Sequence, residues 1–208
     1  MIQFRNIQAV AFDCDGVMIN STEANRTYYN TQLQAFGLDP MTDADFHHVH
    51  MHTASEAIRH LFEGRVPLDQ VKENLQHFHY PDLFPLMIEE PHLRKLLKNL
   101  RPHYRTAVAT NRSNTLRPLL DYFDLTKYFD KLITSMDVVR PKPHPDMLTA
   151  LVKHFGLSPE NLLYIGDSPL DARAASEAGC HFIGYGAEDL GAELHIQTLD
   201  RLHDFLSP

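Results

Sequence analysis

Asp13 and Asp15 follow a short apolar run, Ala9-Val10-Ala11-Phe12, with Cys14 between them and Gly16-Val17 behind. Such a run reads as a buried strand. Its carboxyl end delivers both carboxylates to the sheet edge, where open α/β folds place their sites. Alternate strand side chains share a face, so the two acids point one way and Cys14 the other. Like charges that close repel, unless a cation lies between them or one carries a proton. Either remedy serves chemistry, although the solvated end of a strand would look the same.

Other apolar runs also end in polar residues. Arg105–Thr110 leads into Asn111-Arg112-Ser113, and Leu162–Gly166 leads into Asp167-Ser168-Pro169-Leu170-Asp171. Between them lies Arg140-Pro141-Lys142-Pro143-His144-Pro145-Asp146. In a parallel sheet these segments converge on the edge that carries Asp13 and Asp15. The inventory is four carboxylates, a hydroxyl, an ammonium and backbone N–H groups, and it suits phosphoryl transfer. Carboxylates can hold Mg²⁺, a hard cation that takes oxygen ligands. The metal and a lysine neutralise the transferring group. One carboxylate can attack through an aspartyl phosphate, and a second can serve as acid and then base. Threonine hydroxyls and N–H groups near a helix start can grip phosphate oxygens. Each piece has a plain alternative: Asp167 or Asp171 as a helix cap, Thr110 as a strand end, Lys142 as an exposed residue in a stiff loop.

The elements that must position these residues alternate. Strands are expected at Ala9–Asp13, Arg105–Thr110, Lys131–Ser135, Leu162–Gly166 and Cys180–Gly184. Helical spacing separates them: Leu93, Leu96, Leu97 and Leu100; then 114–123; then 145–155 with Pro145 as first helical residue; then 169–178 stopped by Gly179. That order argues for a Rossmann-like α/β fold, a parallel sheet with helices on both faces. Residues 21–85 break the alternation with helical patterns alone: Tyr28, Leu33 and Phe36; Ala54, Ile58, Leu61 and Phe62; Val71, Leu75 and Phe78. Residues 80–85 read as a linker returning to the sheet. The organisation expected is a catalytic core of 1–20 and 86–208, with an inserted α-helical cap, 21–85, over the carboxyl edge as a lid. A separately packed helical domain without gating is the alternative.

Bulk properties exclude several classes. The chain has 208 residues and a net charge of −8, from 19 basic against 27 acidic residues, with no basic block. Nucleic acid is therefore excluded as an expected partner. No apolar stretch approaches the ~20 residues of a membrane span, and no signal-peptide pattern opens the chain, so a soluble, cytoplasmic protein is expected. Cys14 and Cys180 form no CxxC and read as buried thiols. Histidine is abundant, with 14 copies. The cluster His47, His48, His50 and His52 matches no strong metal pattern and reads as polar surface.

The motif order resembles that of the haloacid dehalogenase superfamily, in the branch with a helical cap after the first motif, which holds phosphoglycolate phosphatases and beta-phosphoglucomutase-like proteins. That pattern is DxDG(T/V), a strand ending in Thr or Ser, a Lys, then GDxxxD. The resemblance implies Asp13 as nucleophile and Asp15 as acid/base. It implies Mg²⁺ on Asp13, the Asp15 backbone carbonyl and Asp167. It further implies Thr110 and the Asn111 N–H on the phosphoryl group, Lys142 on Asp13 and phosphate, and Asp171, with Gly16, in support. Dehalogenases and phosphonatases lack the second aspartate, so Asp15 argues against both. Beta-phosphoglucomutases carry a cap histidine twelve residues after the nucleophile, where this chain has Asn25. A phosphatase acting on a small phosphorylated metabolite is thus expected. A phosphosugar mutase and a non-catalytic binding protein on the same fold are the alternatives. Asn20 stands where an acid is usual, and His50-Met51-His52 where a glycine is common, so phosphoglycolate, sugar phosphates and nucleotides all stay open as substrates. Arg26, Arg59, Arg65 and the histidines are the cap's candidates for contacting an anionic leaving group.

Overall fold

Strand β1 (Ala9–Phe12) shows why the sheet forms. Val10 and Phe12 enter one apolar cluster, and the smaller Ala9 and Ala11 enter another. A strand buried on both faces, with successive residues alternating between them, belongs at the centre of a helix-covered sheet. The computed structural model describes residues 4–187 and 189–206. In it β1 pairs in parallel with β4 (Arg105–Ala109) on one side and β6 (Leu162–Gly166) on the other. Adding β5 (Lys131–Ile133), β7 (His181–Tyr185) and β8 (Leu194–Ile196) gives a six-stranded sheet of order β5-β4-β1-β6-β7-β8. The carboxyl ends of β1, β4 and β6 are therefore neighbours, as the convergence of the motifs requires.

Helices α5 (Leu93–Leu100) and α6 (Leu116–Tyr122) bury leucines against the Val10/Phe12 face. Helices α7 (Asp146–Phe155) and α8 (Pro169–Ala178) cover the alanine face with Met147, Leu148, Leu151, Ala174 and Ala175. Several boundaries differ from those expected. The third strand stops at Ile133 because the Thr134 N–H and hydroxyl turn onto Asp137 Oδ2, at 2.8 and 2.6 Å. Helix α6 starts at Leu116, after a turn in which Leu116 N–H reaches Ser113 O. Pro145 is the N-cap of α7 rather than its first residue. The strand expected at Cys180–Gly184 lies one residue later, at His181–Tyr185.

Between β2 (Ile19–Asn20) and β3 (Ile88–Glu89) run helices α1 (Thr22–Ala35), α2 (Asp43–Met51), α3 (Ala54–Phe62) and α4 (Leu68–Gln76). They share a hydrophobic cluster of their own, centred on Leu33, Leu61, Phe62 and Val71. Antiparallel pairing of β2 with β3 brings the way in and the way out of this segment side by side. Residues 80–85, expected as a plain linker, lie in a 3₁₀ helix, Tyr80–Leu86, that buries Leu83 and Phe84. No helix among the described residues is long and apolar enough to cross a membrane. Cys14 and Cys180 are buried free thiols.

Candidate active site

Lys142 anchors the site. Its ammonium has three protons to donate and three acceptors around it: Asp171 Oδ1 at 2.6 Å, Tyr164 Oη at 2.9 Å and Asp13 Oδ1 at 3.0 Å. The lysine is 2% exposed and Asp171 fully buried, so each charge depends on the others. Burial disfavours the lysine's charge, but Asp13 and Asp171 outweigh it and hold the ammonium above its ordinary value. Asp171 has a second duty. Its Oδ2 accepts from the Ser168 N–H and hydroxyl, while Ser168 Oγ accepts from the Asp171 N–H, making a capping box at the start of α8. The GDxxxD spacing thus places one acid at the strand end and the other at the third helical position. Tyr164, not singled out from sequence, joins Lys142 to Asp171 and lies 2.8 Å from Ala109 O.

Asp13, Asp167 and Asp171 each present an oxygen within 4.8 Å of the others. Three carboxylates against one ammonium leave two negative charges in a confined space. Burial, followed by the neighbouring carboxylates, pushes Asp13 up to about 7 despite Lys142. The same causes push Asp167 well above the carboxylate range. All-oxygen donors with an excess charge of two fit a hard divalent cation such as Mg²⁺. Asp13, Asp167 and the Asp15 backbone carbonyl are the candidates to hold it, with Asp171 already committed to Lys142 and Ser168. Gly16 and Gly166 make the crowding possible. A Cβ on Gly16, where φ is +80°, would lie 1.9 Å from Asp167 Oδ2. One on Gly166 would lie 2.4 Å from the Asp171 Cβ.

Asp15 sits in a different environment. Arg112 grips both its oxygens, Nε to Oδ2 at 3.0 Å and Nη2 to Oδ1, and the Ser21 hydroxyl also donates to Oδ1. Burial works against the Asp15 charge, but the guanidinium's charge and hydrogen bonds outweigh it and hold the carboxyl below its usual range. Arg112 was visible in sequence only as a neighbour of Thr110 and Asn111. Spacing gave no signal for it: an arginine two residues past a strand-end threonine is as readily exposed, and only its burial in the fold calls for a carboxylate partner.

Thr110 is buried, and its Oγ1 accepts from the Arg112 N–H at 3.2 Å, which leaves the hydroxyl proton for another acceptor. The Asn111 side chain serves the loop that carries Lys142. It accepts from the Lys142 N–H at 3.0 Å and donates to both Lys142 O and Met51 O at 3.1 Å. Asp13, Asp15, Thr110, Asn111 and Arg112 all line one cleft of about 390 Å³, lined on its other side by Asn25, Tyr28, His50, His52 and Tyr80. Arg112 is the sole arginine or lysine lining it among the described residues. The three arginines proposed for the cap are elsewhere: Arg26 pairs with Asp43 over Phe46, Arg65 donates to Leu61 O, and Arg59 is absent from the lining. The histidine cluster divides. His48 stacks between His52 and His60 away from the cleft, whereas His50 and His52 line it, and among the described residues no set of histidines converges on a metal position.

The parallel sheet gathers acid, hydroxyl and ammonium groups at one edge, and comparison with known proteins gives the class. The haloacid dehalogenase-like hydrolase family model matches residues 10–185, and the chain belongs to that family. It is similar to the phosphoglycolate phosphatase of Escherichia coli strain K12, at 28% identity over 212 residues covering 88% of this chain and 83% of that protein. Among solved structures, a subfamily IA hydrolase of the superfamily from Geobacter sulfurreducens is 32% identical, with a TM-score of 0.80 and 97% of both chains covered. A predicted phosphoglycolate phosphatase from Haemophilus somnus, 20% identical with a TM-score of 0.85 over 96% of this chain and 97% of that one, shares the fold.

Proposed function

We propose that this protein is a Mg²⁺-dependent phosphatase that hydrolyses a small phosphate monoester through an aspartyl phosphate on Asp13. The observation that carries the reading is the contrast between two acids two residues apart. Asp13 shares Lys142 with a crowded carboxylate cluster, while Asp15 stands apart in a neutral pair with Arg112. Two acids in such different surroundings are suited to two roles.

In the first step an Asp13 oxygen attacks phosphorus, and the bond from phosphorus to the ester oxygen breaks. Asp15 gives that oxygen its proton. For this, Asp15 must release one oxygen from the Arg112 fork and carry a proton. Thr110 donates its free hydroxyl proton to a phosphoryl oxygen, and Lys142 holds Asp13 in line while neutralising charge. In the second step Asp15 takes a proton from water as the water oxygen attacks phosphorus. The bond to Asp13 then breaks and phosphate leaves. Bound Mg²⁺ would supply neutralisation of the phosphoryl charge.

Residues 21–85 act as a cap that closes the cleft and selects the leaving group. The similarity to phosphoglycolate phosphatases makes phosphoglycolate the first metabolite to test, and the enzyme's proposed location is the cytoplasm. The deciding experiment measures phosphate release from an aryl phosphate and a panel of phosphorylated metabolites, with Mg²⁺ and with EDTA. Release should require the metal and vanish in Asp13→Asn, whose circular dichroism should match wild type. Substantial Mg²⁺-dependent turnover in Asp13→Asn would rule out the nucleophile.

A further inference from the structure

His50 reaches the cleft from α2, and its Nδ1 lies 3.1 Å from the side-chain nitrogen of Asn25 on α1. Which ring nitrogen carries the proton follows from neighbours that have no freedom of their own. Asp15, gripped at both oxygens by Arg112, accepts there and has no donor to offer. The Ser21 hydroxyl donates to it, so Ser21 Oγ must accept in turn, and its donor is Asn25 Nδ2 at 3.3 Å. A second route gives the same answer. Arg112 can only donate, and its Nη1 stands 3.4 Å from Tyr80 Oη. The Tyr80 proton then goes to Asn25 Oδ1 at 2.7 Å. The Tyr80 route does not pass through Asp15, so it fixes the same amide orientation when Asp15 carries its proton.

Both routes turn the Asn25 oxygen toward Tyr80 and its NH₂ toward Ser21 and His50. One amide proton goes to Ser21, and the other meets His50 Nδ1, which must be bare. A neutral ring then carries its proton on Nε2. Burial, with Arg112 nearby, favours the neutral ring, and Asp15 opposes it. Phe46 stacks on the ring at 5.0 Å between centroids and holds its plane. Among the described residues Nε2 has no hydrogen-bond partner, and it is not one of the sealed, unpaired buried atoms.

We infer that His50 is the residue with which the cap reads the leaving group, donating from Nε2–H to an oxygen of the leaving alcohol. Ser21, Asn25, Tyr80 and Arg112 are positioning residues that hold it in that tautomer. The inference rests on the phosphatase reading above and narrows the substrate class. The leaving alcohol carries a second oxygen acceptor, a carboxylate or hydroxyl, beyond the ester oxygen.

The test pairs spectroscopy with kinetics on the Mg²⁺-loaded enzyme. Long-range ¹⁵N–¹H spectra of histidine-labelled protein should show one imidazole, missing in His50→Gln, with a protonated Nε2 and a bare Nδ1. Asn25→Asp, which offers acceptors where the amide donated, should put a proton on Nδ1. Kinetics then compare a two-carbon phosphate ester bearing a carboxylate with ethyl phosphate. His50→Ala should cut the preference for the carboxylate roughly ten- to hundred-fold, the worth of a hydrogen bond to a charged group. His50→Gln, whose amide N–H can stand near the Nε2 position, should recover most of that preference. A thermal unfolding curve for each variant separates misfolding from a lost contact. A His50→Ala preference within two-fold of wild type, or a wild-type His50 protonated on Nδ1, overturns the assignment while leaving the phosphatase reading standing. A wild-type enzyme that hydrolyses neither ester, nor any other phosphate monoester with Mg²⁺, overturns the phosphatase reading and the leaving-group role of His50 with it.

Discussion

Removing divalent metal should make the stability of this protein fall as pH rises. Asp13 is pushed up from 3.8 to about 7. In that interval the folded chain keeps on Asp13 a proton that the unfolded chain has lost, so Asp13 makes stability fall from about pH 4 to about pH 7, and Asp167, raised by the same causes, adds to the fall in the same direction. At ~1.4 kcal/mol per pH unit the loss due to Asp13 is on the order of 4 kcal/mol. For a chain of this length each kcal/mol moves Tm by about 2–4 °C, so the decline should be of order 10 °C. Mg²⁺ binds the ionised carboxylates and should cancel the decline. At a hundred times its Kd it adds about 3 kcal/mol, or roughly 5–11 °C. The assay is thermal unfolding at several pH values from 4 to 8, in EDTA and in Mg²⁺. The benefit of Mg²⁺ should be near zero at pH 4 and grow steadily as pH rises to 8. Histidines such as His48 and His50, held below their ordinary values chiefly by burial, contribute the opposite slope, but equally in both samples. Asp13→Asn should make the EDTA curve shallower, leaving the part due to Asp167, and raise it near pH 7. Superimposed EDTA and Mg²⁺ curves would refute the argument that these carboxylates form a cation site.

Three further outcomes follow from the same geometry. Gly16→Ala puts a Cβ 1.9 Å from Asp167 Oδ2 at a φ of +80°; it should lower stability by roughly 1–2 kcal/mol and Mg²⁺ affinity by about ten-fold or more, and calorimetric titration showing wild-type affinity would contradict this. Asp171→Asn removes the buried partner of Lys142 and turns an NH₂ against donors from Ser168, Tyr164 or Lys142; urea unfolding should register a loss of about 3–5 kcal/mol, and a loss below ~1 kcal/mol would contradict it. Asp15→Asn should slow the first step for alkyl esters and stall the second, so with an aryl phosphate, whose leaving group needs little protonation, acid quench and mass spectrometry should find phosphate on Asp13, whereas phosphate release at the wild-type rate would exclude Asp15 as acid/base.

The parts of the site legible from the chain were those where local pattern and chemistry coincide. Asp13, Thr110 and Asp167 each end or follow a buried strand, and strand ends in a parallel sheet share an edge whatever the connections between them do. Asp171 was readable as a helix cap and as a candidate site residue; it caps α8 and pairs with Lys142. Helix starts were read less well, because Ser113–Leu116 and Pro145 are set by turns whose partners are not visible in hydrophobic spacing.

Residue type and order along one strand or one helix thus determine which groups reach the carboxyl edge. They do not determine how those groups pair, because pairing depends on distances between segments far apart in the chain. Arg112 meets Asp15 from 97 residues away, and Tyr80 meets Asn25 from 55. Only the packed structure decides that Asp13 keeps company with Lys142 and other carboxylates while Asp15 is held by a guanidinium. It also decides that His50 faces the cleft and its neighbour His48 does not. Buried charges and donors must find partners wherever the fold brings them, and that requirement, invisible in spacing, is what divides two nearly adjacent aspartates into different environments.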